Sequence, residues 1–193
     1  MAAHTTVDLT NLLPATFTAP GLTEKQFLAL CEQFPDATLE YTEDGEVIVM
    51  PPIDPLNGAR GARVVQRLSN WAEKAGRGLV CGPDAGFLLP SGARRSPDAS
   101  WFEGFPSGKQ RFPVFAPQFV IEVRSPDDRI ARLRDKMQRY LNAGVKLAWL
   151  IDPLEGSVTI YRPERDPEEL ANPVAVTGDG PVEGFVLDLQ GIL

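Results

Sequence analysis

Beginning at Thr23, the chain spaces Phe27, Leu30 and Phe34 three and four residues apart, with Gln26 three places after the threonine. That pattern predicts an amphipathic helix opened by a capping box. The next segment, ATLEYTEDGEVIVMPP, alternates apolar and polar positions around Glu43-Asp44-Gly45 and predicts a β-hairpin. A loop, PPIDPLNGARG, leads into a second helix with Val64, Leu68, Trp71 and Ala75 on one face and Gly76 and Gly78 after it. Two short apolar stretches, GLVCG and GFLLP, read as strands.

After RRSPDASWF and a loop rich in proline and glycine comes PQFVIEVRS, in which Phe119, Val120, Ile121 and Val123 make a nearly continuous apolar run. Such a run marks a central strand covered on both faces. SPDD then supplies a helix start, with Ser125 as N-cap, Pro126 in the first turn and Asp128 at the box position. The helix carries Ile130, Leu133, Met137, Tyr140 and Leu141 on one face and stops at Gly144. VKLAWLID reads as another buried strand, paired with GSVTIYRP across the turn from Asp152 to Gly156, and GFVLDLQGIL as an edge strand. This order predicts an α/β domain over residues 1–193, a mixed sheet flanked by helices, with a loose N-terminal segment at 1–20.

Composition narrows the chemistry. The single histidine, His4, lies in the N-terminal segment, so the body of the chain has no imidazole for a triad, a zinc site or a general base. Cys31 and Cys81 lack paired spacing and read as reduced, packed thiols. No apolar run is long enough for a membrane span, and the N-terminus lacks the features of a secretory signal, which points to a cytoplasmic protein. The formal charge of −7 weighs against polyanions as a whole, but residues 94–139 hold 10 of the 19 Lys and Arg against 6 of the 26 Asp and Glu. A basic middle of this kind suits a polyanion bound locally, and it equally suits a solvated helix face.

Within that middle, Glu122 interrupts the apolar strand and Arg124 follows two residues later, on the same side of the strand. A carboxylate buried there needs a cation, either a metal ion shared with Asp98 on a neighbouring strand or an arginine in an internal salt bridge. Two hard oxygen ligands would select magnesium or manganese. Arg124 itself could hold an attacking water or a phosphate oxygen, or form a structural ion pair. The following helix carries Arg129, Arg132, Lys136 and Arg139 at spacings of three, four and three, a stripe that either stays solvated or meets a phosphate backbone.

SPDASWF, FVIEVRSPDD, RLRDKMQRYLNAGVKLAWLIDP and VTIYRP, in that order, resemble the Uma-type restriction endonuclease family within the PD-(D/E)XK nuclease superfamily. The resemblance runs from the LEYTEDGEVIVMPP hairpin to GFVLDLQ and implies a restriction-endonuclease-like core. It further implies a Mg2+-dependent (or Mn2+-dependent) endonuclease acting on DNA phosphodiester bonds, with Asp98 and Glu122 as metal ligands. Arg124 stands where the nuclease pattern has lysine. Arginine stays protonated and cannot act as a base, though it can stabilise charge on the phosphate. Lys136 matches a lysine of the family and is the candidate to take over the role, while Glu40 in the hairpin matches a family glutamate and is a candidate third acid. Arg129, Arg132 and Arg139 become candidate DNA contacts, and a nuclease that cuts both strands implies a homodimer. The alternative is a catalytically silent nuclease-fold module that binds DNA or assembles with protein, which Arg124 and the acidic balance favour.

Overall fold

The computed structural model describes residues 15–50, 52–108 and 110–193, so His4 lies outside the described residues. The chain divides into two compact units, Met1–Pro52 and Ile53–Leu193. In the first, β1 (Ala15–Thr18), α1 (Glu24–Gln33), β2 (Thr38–Tyr41) and β3 (Glu46–Met50) follow one another. β3 pairs antiparallel with both β1 and β2, in the register Ala15↔Val49 and Leu39↔Val49. Residues 15–18, expected within a loose segment, are therefore a strand. Thr23 and Gln26 form the expected capping box, and α1 buries Phe27 against Leu39, Tyr41, Val47 and Val49. Gly45 turns the hairpin at φ +81°, where a Cβ would lie 2.9 Å from Pro20 Cα, so glycine is needed for both conformation and space.

The second unit contains α2 (Pro55–Ala75), β4 (Leu79–Cys81), β5 (Phe87–Leu88), β6 (Arg94–Arg95), β7 (Ala99–Phe102) and β8 (Phe119–Val123). There follow α3 (Ile130–Asn142), β9 (Leu147–Asp152), β10 (Ser157–Tyr161), β11 (Glu168–Ala171), β12 (Ala175–Thr177) and, after a short 3-10 turn, β13 (Val186–Asp188). Its main sheet has the order β11-β10-β9-β8-β7-β4. β8 and β9 run parallel, joined by α3 as the crossover, and the other neighbours are antiparallel, which makes the sheet mixed as expected.

Every residue of β8 and β9 is buried, and alternate residues face opposite layers. Phe119, Ile121 and Val123 join Leu147, Trp149 and Ile151 under α2 and the C-terminal segment, through Val64, Leu68, Phe185 and Leu187. Val120, Ala148 and Leu150 face the other way, against Met137 and Tyr140 of α3. Burying a side chain of this size contributes roughly 1.5–3 kcal/mol, so these two layers fix the strands on which the polar residues ride.

Four local expectations are corrected. α2 begins at Pro55, within the segment expected as loop, because the Asp54 carboxylate accepts from the N–H groups of Leu56 and Asn57 and caps the helix there. Its buried face uses Ala72, whereas Ala75 is exposed. α3 begins at Ile130 and not at the SPDD segment, since the Asp128 carboxylate turns back to accept from Ser125 N–H and Oγ, both at 2.8 Å, and closes a separate turn. At the end of the chain, β13 pairs with β12 outside the main sheet, whose edge is supplied by β11. Cys31 and Cys81 are half-buried thiols outside any disulfide, and burial raises the Cys81 thiol above its ordinary pKa.

Candidate active site

The β7–β8 ladder brings the two acids of the sequence pattern to one end of neighbouring strands. Its register, Ala99↔Ile121 and Ser100↔Val120, puts Asp98, the residue before β7, level with Glu122. Asp98 Oδ2 accepts from the backbone N–H of Val123 at 2.7 Å, one residue beyond Glu122. The aspartate is thus tied directly to the strand that carries the glutamate.

Glu122 is 5% exposed and points with Val120 into the layer beneath α3. The Lys136 ammonium lies 2.8 Å from its Oε1. A second donor reaches the same oxygen, the hydroxyl of Tyr140, also at 2.8 Å. Lys136 and Tyr140 are one helical turn apart and so share a face of α3, and Lys136 Nζ sits 5.8 Å from the centroid of the Tyr140 ring. The cation that a buried carboxylate requires therefore comes from the crossover helix.

Arg124 goes elsewhere. Its Nη1 donates to Asp152 Oδ2 at 2.8 Å, and its backbone N–H donates to Ile151 O. Asp152, at the end of the parallel neighbour β9, uses Oδ1 to accept from the N–H groups of Leu154 and Glu155. One aspartate thereby closes the β9–β10 turn and holds the end of β8. The Arg124 Nε is buried with no hydrogen-bond partner among the described residues.

Of the remaining candidates, Arg129 and Arg132 are exposed, whereas Arg139 is half-buried and its Nε donates to Asp135 at 2.6 Å. Arg134, on another side of the same helix, pairs with Glu169 at 3.7 Å. Glu40 lies on β2 in the N-terminal unit and is 1% exposed. Tyr140 and Asp152 were not singled out as site residues from the sequence. Tyr140 read as one more apolar position of α3, although its spacing of four from Lys136 is a usable signal, and Asp152 read as the end of a strand.

A divalent ion can be tested against this set by its donor chemistry. Magnesium takes hard oxygens, commonly one or two carboxylates, and completes its shell with water and substrate oxygens. Asp98 and Glu122 supply that kind of donor, and the set fits. Among the described residues no cluster of three or more His, Cys, Asp or Glu side chains is arranged around a common centre.

No curated protein matches the chain. Among solved structures, the chain is similar to the crystal structure of a putative nuclease belonging to DUF820 from Anabaena variabilis ATCC 29413, with a TM-score of 0.73 and 23% identity, covering 87% of this chain and 95% of that one. That likeness carries the fold, the mixed α/β arrangement expected from the sequence. The profile of the Uma2 family, described as "Putative restriction endonuclease", matches residues 24–190, nearly the whole described chain, and the protein belongs to that family.

Proposed function

We propose that the protein is a Mg2+- or Mn2+-dependent endonuclease that hydrolyses DNA phosphodiester bonds, with the ion held by Asp98 and Glu122. The observation that carries this reading is the convergence on Glu122, where Lys136 Nζ stands at 2.8 Å while Asp98 is bonded to the backbone one residue further on. A buried glutamate paired with an ammonium, level with a half-buried aspartate on the neighbouring strand, is costly to assemble, which supports a functional use. When bound, the ion would lower the pKa of a coordinated water and offset negative charge on the phosphate. Lys136 would orient the attacking water and meet charge building on the phosphate oxygens. Arg129, Arg132 and Arg139 would hold the DNA backbone. A homodimer would supply a second centre for the second strand.

One observation favours a second reading, a catalytically silent module of the same fold. Arg124, at the position of the motif lysine, is committed to Asp152. Nicking of supercoiled plasmid with Mn2+ separates the two. Cleavage by the parent protein that disappears in Asp98→Asn and Glu122→Gln supports the nuclease; a folded parent that never nicks across metals and substrates leaves the silent module.

A further inference from the structure

Tyr140 is a second group, besides Lys136, that bonds Glu122. It is 1% exposed, its ring sits in the layer with Val120 and Leu150, and its hydroxyl donates to Glu122 Oε1 at 2.8 Å. Lys136 Nζ meets that same oxygen at 2.8 Å while lying 5.8 Å from the Tyr140 ring centroid. A carboxylate in an apolar layer can rotate about its terminal torsion, which is broad. Two donors from one helix face, converging on one oxygen, fix that rotation and choose which edge of the carboxylate is turned away from α3. The ring also limits where the ammonium can go, because a cation is attracted to the ring face.

We propose that Tyr140 is a positioning residue for the metal-binding carboxylate, acting through Glu122 without touching ion or substrate. The proposal rests on the nuclease reading above. Partners that orient a ligating side chain typically change metal affinity or activity by about 10- to 100-fold when removed. A phenol that had merely found an acceptor in the core would contribute to stability and leave metal affinity alone.

The test is Tyr140→Phe, which removes one oxygen and keeps the ring beside Lys136. Mn2+ affinity is measured by titrating free Mn2+ by electron paramagnetic resonance, for the parent, Tyr140→Phe, Glu122→Gln and the double variant. Tyr140→Phe should bind Mn2+ roughly tenfold more weakly than the parent and, in cleavage, lose kcat with KM for DNA unchanged. In the Glu122→Gln background the same change should have no further effect on Mn2+ affinity. Unchanged Mn2+ affinity in Tyr140→Phe, or an equal loss in both backgrounds, overturns the positioning role while the nuclease reading stands. A parent protein that binds no Mn2+ overturns both. Should Tyr140→Phe prove unstable, incorporating a fluorinated tyrosine at 140 tunes the strength of the hydroxyl donor without removing it, and an Mn2+ affinity indifferent to fluorination likewise overturns the role.

Discussion

Replacing Lys136 by methionine removes a charge and little volume, and the structure sets the size of the response. Glu122 has a side-chain exposure of 6% and Lys136 one of 13%, so the pair at 2.8 Å is shielded from water on both sides. Removing one partner of such a pair costs about 3–5 kcal/mol, chiefly because the other charge stays buried. The Tyr140 hydroxyl remains on Glu122 Oε1 and softens the loss, which places the expectation at the low end, about 3 kcal/mol. For a chain of this length that is a fall in Tm of about 6–12 °C by differential scanning calorimetry. Glu122→Gln removes the charge left behind, so the double variant should recover part of the loss and be coupled to the single changes by about 1–3 kcal/mol. Single-turnover cleavage with Mn2+ should fall about a hundredfold in Lys136→Met, the equivalent of roughly 2.7 kcal/mol at the transition state. Arg124→Met should lose stability through Asp152 and keep most of its cleavage. Purely additive stabilities would refute the buried pair, and a hundredfold loss confined to Arg124→Met would transfer the catalytic cation back to the strand.

Asp98→Asn keeps an acceptor for the Val123 N–H, so its Tm should stay within a few degrees while Mn2+-dependent cleavage falls by two orders of magnitude or more. Replacing Arg129 and Arg132 by alanine should weaken DNA binding and flatten the dependence of log K on log salt by about 1–2, at about 0.9 for each phosphate that is no longer neutralised; an unchanged slope would mean that these exposed arginines only face solvent. Gly78→Ala should lower Tm by about 6–12 °C, because a Cβ there would lie 2.1 Å from Trp101 Nε1 in a residue at φ +77°, and overpacking plus backbone strain together cost about 3 kcal/mol. Sedimentation at micromolar concentration should show a species of twice the 21.1 kDa chain mass, and a monomer alone would count against the paired centres.

Much of this architecture is legible in the hydrophobic pattern because burial on both faces leaves so few alternatives. The runs at Phe119–Val123 and Leu147–Asp152 are the central parallel pair, and the helix between them is the crossover that parallel strands require. Element ends were harder to read, since capping side chains compete locally. Asp54 and Asp128 are both acids near a proline and a helix start, yet Asp54 caps α2 directly while Asp128 closes a turn with Ser125 ahead of α3. Nothing in the spacing distinguishes them. The edge strand β11 carries Glu168 and Glu169 in a sequence with weak strand preference, and it is held by pairing with β10, which only the folded chain shows.

The sequence offers two cations for Glu122, Arg124 on the strand and Lys136 on the helix, and geometry decides which partner each one takes. Period-two alternation places Arg124 on the same side of the extended strand as Glu122, and on that basis alone the arginine is its natural partner. Arg124, however, follows the last residue of β8, where a long side chain is no longer confined by the pleat, and the neighbouring parallel strand ends there in Asp152. An aspartate with one oxygen already fixed by two turn N–H groups is a preorganised acceptor, and the guanidinium binds it. Glu122 is then served from α3, where the helical repeat brings Lys136 and Tyr140 over the same oxygen from positions 14 and 18 residues further along the chain. A strand motif can lose its cation in this way without losing the charge at the site. Parallel pairing of β8 and β9 requires a crossover helix, and that helix must bury a face over the very layer in which Glu122 lies. A long basic side chain placed on that face within reach of Glu122, as Lys136 is, can meet the carboxylate, so the topology itself offers the replacement that the strand position gave up.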